Sequence, residues 1–257
     1  MRLHEVLKKD SRDLLSIYFT AGFPSMDSMP RILQALESAG TDFVEIGIPY
    51  SDPICDGPVI QSSSQKALNN GMTLELLFEQ LSTVPTNLPI ILMGYYNTVL
   101  QCGIERFCER CQAVGVEHVI LPDLPLEIYN DRYRDIFMNH HVNLIFLVTP
   151  QTSVDRIRLI DENSSAFIYA VSSPGTTGSQ NGIGAAESYL SRLKAMELKQ
   201  PVMVGFNISN AIDFQFACEY ANGGIIGSAF INRIKDSNDL ARDTVDFIQD
   251  IKQKIKV

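Results

Sequence analysis

Eight short runs rich in β-branched and aromatic residues recur along the chain, at 15–20, 43–48, 89–93, 118–121, 143–148, 166–171, 202–205 and 224–226. Segments with helical periodicity lie between them, such as 26–39 and 104–114, and several close on glycine. Runs that are continuously apolar belong to strands buried on both faces, and therefore to a parallel sheet with helical crossovers. A doubly wound sheet and a (β/α)8 barrel both satisfy that pattern. The chain has 257 residues, close to the roughly 250 of a typical barrel. Its unusual polar residues fall where strands end, which in a barrel is one shared face. With 45% hydrophobic residues and no low-complexity or linker-like stretch, the chain reads as one α/β domain over 1–257, a single (β/α)8 TIM barrel.

Charge narrows the partners. A formal charge of −9 argues against a nucleic-acid groove or an anionic membrane surface, both of which need a basic face. No apolar run approaches the roughly 20 residues that span a bilayer, and the opening MRLHEVLKKDSRDLL lacks the apolar stretch of a signal peptide. The expectation is a soluble, cytoplasmic protein. Five scattered cysteines make no disulfide framework. Cys108 and Cys111 form a CxxC inside FCERCQAVGV, where helical spacing explains both as half-buried positions and no second pair completes a zinc site.

The stretch VEIGIPYSDPICDGPVIQ, 44–61, sets Glu45 inside an apolar strand and Asp52 and Asp56 in the Pro/Gly-rich loop that follows. A carboxylate removed from water raises its pKa and keeps its proton unless a partner compensates, which is what a general acid needs. The alternative is that Glu45 pairs with a nearby cation while the aspartates shape turns.

Other strand ends carry Thr20 and Gly22, then Tyr95, Tyr96 and Asn97, then Asp123. The last three expected strands end in small, backbone-exposing loops: SSPGTTG at 172–178, GFNIS at 205–209 and GSAF at 227–230. Glycine-rich loops leading into helices after the late strands suit phosphate, because free amides and the helix dipole both face the anion. Each of them alone also makes an ordinary tight turn. No assigned strand end carries a Lys, so a Schiff-base aldolase is hard to assemble. His4, His118, His140 and His141 are placed too far from those ends for a histidine metal site. Carboxylate acid–base chemistry on a phosphorylated substrate is what is left.

With TAGFPS, VEIGIPYSDPICDGPVIQ, LMGYYN, GVEHVILPDLPLEI, YAVSSPGTTG, GFNIS and IIGSAF occurring in that order over nearly the whole length, the chain resembles the tryptophan synthase alpha chain family. The resemblance implies a (β/α)8 barrel that cleaves indole-3-glycerol phosphate to indole and glyceraldehyde 3-phosphate. It implies no cofactor in this chain. The expected partner is a beta chain carrying pyridoxal phosphate, in an αββα complex that takes up the indole. By correspondence, Glu45 is the acid/base acting at indole C3 and the glycerol hydroxyl, and Asp56 accepts the indole N–H. Tyr18, Tyr95, Leu121, Tyr169 and Thr177 match the indole pocket or its closing loop, although each also suits ordinary barrel-top packing. Gly178, Gly205, Gly227 and Ser228 match the phosphate grip, and Pro49, Asp52 and Pro53 match the surface that meets the beta chain.

One departure bears on activity. The family's usual GFGIS is GFNIS here, so Asn207 stands where a glycine amide approaches phosphate. Asn tolerates positive φ but adds a side chain at that approach. The family also often has Arg where this chain has Ser173, a position that varies. A rival reading is therefore a subunit that binds and activates the beta chain while cleaving little. A sugar-phosphate isomerase is a third reading, opposed by the missing strand-end Lys and by the DGPVIQ motif. Closure of the 173–184 loop over substrate is left open by the residues alone.

Overall fold

The computed structural model describes residues 2–8, 10–171, 180–205 and 208–253, with the backbone alone for 180–185. Eight strands form within it: β1 (Leu14–Thr20), β2 (Phe43–Gly47), β3 (Ile90–Met93), β4 (His118–Ile120), β5 (Asn143–Val148), β6 (Ile168–Val171), β7 (Val202–Gly205) and β8 (Gly223–Ile226). Each overlaps one of the runs expected from sequence, with no end shifted by more than two residues. Every neighbouring pair is parallel, and β8 pairs with β1, so the sheet closes into a barrel in chain order. Closure excludes the doubly wound alternative, which keeps two open sheet edges.

Alternate residues of each strand feed two different cores. Leu15, Ile17 and Phe19 of β1, with Val44 and Ile46 of β2, face outward and pack under the helices. Helix Ser28–Ser38 covers part of that layer with Met29, Ile32, Leu33 and Leu36 and lies against helix Leu240–Lys252, which closes the ring. Leu14, Phe43, Ile91, Ile145, Phe167, Met203 and Ile225 face inward and fill the barrel. Four of the described helices start where the sequence supplies a side-chain cap: Thr73, Ser153, Asn210 and Asp239 each accept a backbone N–H three residues on.

Two features go beyond the sequence reading. The short helix Leu3–Val6 folds under the barrel, and Leu3 and Leu7 join the inner core, so the N-terminal arm stoppers the end opposite the strand C-termini. Cys108 and Cys111, expected to be half-buried, are fully buried on the inner face of helix Ile104–Ala113. Burial pushes the Cys108 thiol up to about 12, and Cys111 also rises for the same reason, so both behave as small apolar side chains. Among the described residues no cluster of His, Cys, Asp and Glu could hold a metal ion, and no helix is long and apolar enough to cross a membrane.

Candidate functional site

The strand C-termini open into a cavity of about 620 Å³. Its walls are set by where the inward-facing strand period runs out. Met93, Leu147 and Val171 continue the series begun by Ile91, Ile145 and Tyr169, and the late loops add Ile208, Gly227 and Ser228.

Two tyrosine rings occupy the throat, and glycines make room for both. A Cβ at Gly47 would lie 2.1 Å from the Tyr18 hydroxyl, and one at Gly205 would lie 2.3 Å from the Tyr169 hydroxyl. The Gly205 position therefore has a steric requirement of its own, apart from any contact with phosphate. Gly22 is a comparable case in the TAGFPS turn. Its φ is +78°, its Cβ would fall 2.7 Å from that of Met72, and its carbonyl accepts from Asn70 Nδ2 at 2.9 Å.

Glu45 lies on β2 between Phe43 and Gly47, level with Tyr18 of β1 and Ile91 of β3, and it faces the barrel interior. Its exposure is 0%, and neither carboxyl oxygen has a hydrogen-bond partner among the described residues. Burial alone pushes its pKa up to about 8, so the group is mainly neutral at pH 7. The pairing of Glu45 with a cation, weighed above, does not occur among the described residues. Tyr18, Tyr169 and Asp56 line the cavity, whereas Glu45 sits on the inner wall without lining it.

Asp56 is held differently. Its carboxylate accepts a hydrogen bond from the Tyr95 hydroxyl at 3.0 Å, and that hydroxyl accepts from the Cys55 backbone N–H at 3.0 Å. The Asp56 carbonyl accepts from Gln61 Nε2 at 2.8 Å, which ties the loop to helix Pro58–Asn69. Partial burial raises the Asp56 pKa to about 6, and the Tyr95 donor opposes that rise. Asp56 is therefore mostly ionised at pH 7 while Glu45 is mostly protonated.

The other expected residues separate into groups. Tyr18, Tyr169, Gly227 and Ser228 line the cavity; Gly227 precedes helix Ser228–Ile234 and offers no side chain to cap it. Tyr95 serves Asp56 and stacks on Tyr50, with ring centroids 5.0 Å apart. Leu121 packs in the outer core and borders a smaller cavity with Asp123 and Arg156. Asp52 is exposed, Pro53 is half-buried and Pro49 is buried, and Ile54 beside them is 84% exposed. Thr177, Gly178 and Asn207, and all but the helical end of the 173–184 loop, lie outside the described residues. The reading from sequence missed Met93, Leu147 and Val171, which the period of two from their inward-facing neighbours would have found.

A family model described as "Tryptophan synthase alpha chain" matches residues 4–257. The tryptophan synthase alpha chain of Flavobacterium johnsoniae is 48% identical over 239 residues, covering 92% of this chain and 94% of that one. The crystal structure of the tryptophan synthase alpha chain from Legionella pneumophila superposes with a TM-score of 0.84 at 30% identity, covering 93% of this chain and 90% of that one. A chain of the tryptophan synthase complex from Pyrococcus furiosus gives a TM-score of 0.84 at 30% identity, covering 94% and 98%.

Proposed function

The chain belongs to the tryptophan synthase alpha chain family, lyases that cleave indole-3-glycerol phosphate in tryptophan biosynthesis with a beta chain as partner, and on that premise we propose how its own residues divide the reaction. The observation that carries the proposal is the pair of unlike carboxyl groups at one barrel mouth, Glu45 neutral and without a partner among the described residues, Asp56 ionised and held by Tyr95. Glu45 turns from the inner wall toward the cavity and protonates indole C3. The resulting indolenine is the electron sink for breaking the bond between C3 and the glycerol carbon. Asp56 accepts the indole N–H and stabilises the positive charge that develops there. As that bond breaks, the Glu45 carboxylate takes the proton of the adjacent hydroxyl, which becomes the aldehyde of glyceraldehyde 3-phosphate. Glu45 is left protonated, and indole departs.

Gly227 and Ser228, at the start of helix Ser228–Ile234, take the phosphate together with Gly178 and Gly205, and Tyr18 and Tyr169 flank the indole. The exposed turn of Asp52, Pro53 and Ile54 meets the beta chain, which carries the pyridoxal phosphate; this chain carries no cofactor. The assembly is αββα and cytoplasmic.

A second reading rests on Asn207 at the phosphate loop: a chain that binds and stimulates its beta partner but cleaves weakly. The experiment that separates them is release of glyceraldehyde 3-phosphate from indole-3-glycerol phosphate, with and without the beta chain, alongside tryptophan formation from serine and indole. Cleavage that rises with the partner and disappears in Glu45→Gln supports the lyase reading. Stimulation of tryptophan formation without cleavage supports the activator reading.

A further inference from the structure

Ser16 of β1 shares its inward face with Leu14 and Tyr18, and it is fully buried. Its hydroxyl has no hydrogen-bond partner among the described residues. On the adjacent strand both carboxyl oxygens of Glu45 are in the same condition. Buried polar groups left unpaired are costly, and they are nearly always matched by protein or by ordered water. Two of them on neighbouring strands, in a wall otherwise built from Leu14, Phe43, Ile91 and Phe167, call for a common explanation.

The register supplies it. Ser16 pairs with Phe43 and Tyr18 with Glu45, so Ser16 and Glu45 are diagonal neighbours on the inner wall. Strand spacing and rise put their Cα atoms about 8 Å apart. The two side chains do not bond to each other, and a single water bridges a gap of this kind when polar groups converge on it. We infer that Ser16 is a positioning residue for Glu45, holding its carboxyl group on the inner wall through one buried water. The inference rests on the reading of Glu45 as the acid of the cleavage reaction.

A donor network that reaches the carboxylate favours its ionised form. Removing the Ser16 hydroxyl therefore makes Glu45 hold its proton more tightly. In the complex with the beta chain, kcat/KM for cleavage falls at high pH as Glu45 ionises, and Ser16→Ala shifts that alkaline limb upward by about half a pH unit or more. Ser16→Thr, which keeps the hydroxyl, leaves the limb in place. The infrared carbonyl stretch of protonated Glu45, identified by its loss in Glu45→Gln, moves to higher frequency in Ser16→Ala and stays in Ser16→Thr.

Should Ser16→Ala fail to fold, Ser16→Cys is close in size with a much weaker donor and carries the same expectation. An unmoved limb and an unmoved band overturn the inference, as does a loss of rate shared by Ser16→Ala and Ser16→Thr with no change in either readout. Cleavage that persists in Glu45→Gln overturns the assignment of Glu45 instead. The infrared comparison then still decides whether Ser16 holds the carboxyl group.

Discussion

The two ends of the barrel each bury a titratable group at the inner wall, and each end keeps its group neutral. At the end closed by Leu3 and Leu7, burial lowers the His118 imidazole to about 4, with His4 adding to the shift. At the open end, burial raises Glu45 to about 8. The stability consequences have opposite signs. For His118, stability is present above the unfolded pKa near 6.5 and is lost as pH falls toward about 4. For Glu45, stability is full below about 4.5 and is lost as pH rises through the window to about 8, because the folded chain holds a proton that the unfolded chain releases. The difference lies in what adjoins each group: a plug of leucines in one case, and in the other Tyr18, whose side chain lines the cavity. One neutral group serves packing, and under the proposed mechanism the other gives up its proton.

The largest expected effect belongs to the open end. Glu45→Gln in the complex with the beta chain loses cleavage by about 10²- to 10⁴-fold, the range for a positioned acid/base. The same variant also loses the pH-dependent destabilisation, so its Tm advantage over the parent grows between pH 4.5 and pH 8. Intact cleavage in Glu45→Gln would break the contrast between the two ends at once. The closed end gives the complementary result. Leu7→Ala removes a buried side chain from the plug and destabilises by about 2–5 kcal/mol in denaturant unfolding. Its kcat at a temperature where it stays folded is unchanged. A large loss of kcat without loss of stability would show that the plug acts on the site.

How far these two ends could be read from sequence follows from the range of the interactions. The strands of the wall were legible because each is a local run of apolar residues, and Glu45 stood out as a lone acid inside one of them. Asp56 was legible through its motif, but its partner was not, because Tyr95 lies 39 residues away and the bond exists only once β2 and β3 are adjacent. The plug was missed for a related reason. Leu3 and Leu7 make too short an apolar stripe to identify a helix, and only the finished barrel gives them a surface. The glycines of the mouth look like phosphate or turn residues in a linear reading, yet Gly47 and Gly205 also have to clear rings contributed by other strands.

That steric requirement yields an intermediate effect and sharpens the comparison. Gly205→Ala puts a methyl group where the Tyr169 ring now lies, and the ring has to shift out of the throat. Overpacking of this kind costs about 1–3 kcal/mol. The expected outcome is a lower Tm together with a raised KM for indole-3-glycerol phosphate, because the displaced ring moves into the cavity it lines. Replacing Tyr169 by Leu in the same chain should restore most of the stability. A Gly205→Ala variant with parental Tm would mean that the throat yields without strain.

The smallest effect tests how the second carboxyl group is kept ionised. Tyr95 donates to Asp56, and that donor opposes the upward push of burial on Asp56. In Tyr95→Phe the donor is lost, the Asp56 pKa rises from about 6, and the acid limb of kcat/KM moves toward neutrality. The parent should show a bell with limbs near pH 6 and pH 8, set by Asp56 and Glu45. The variant narrows that bell from the acid side only: one lost hydrogen bond to a charged group moves the limb by about one pH unit, roughly a tenfold loss below pH 6 and about twofold at pH 7. Raising the pH recovers little, because Glu45 begins to ionise in the same range. A uniform loss across the whole profile would mean that Tyr95 holds the loop in place through the Cys55 amide and does not govern the charge of Asp56.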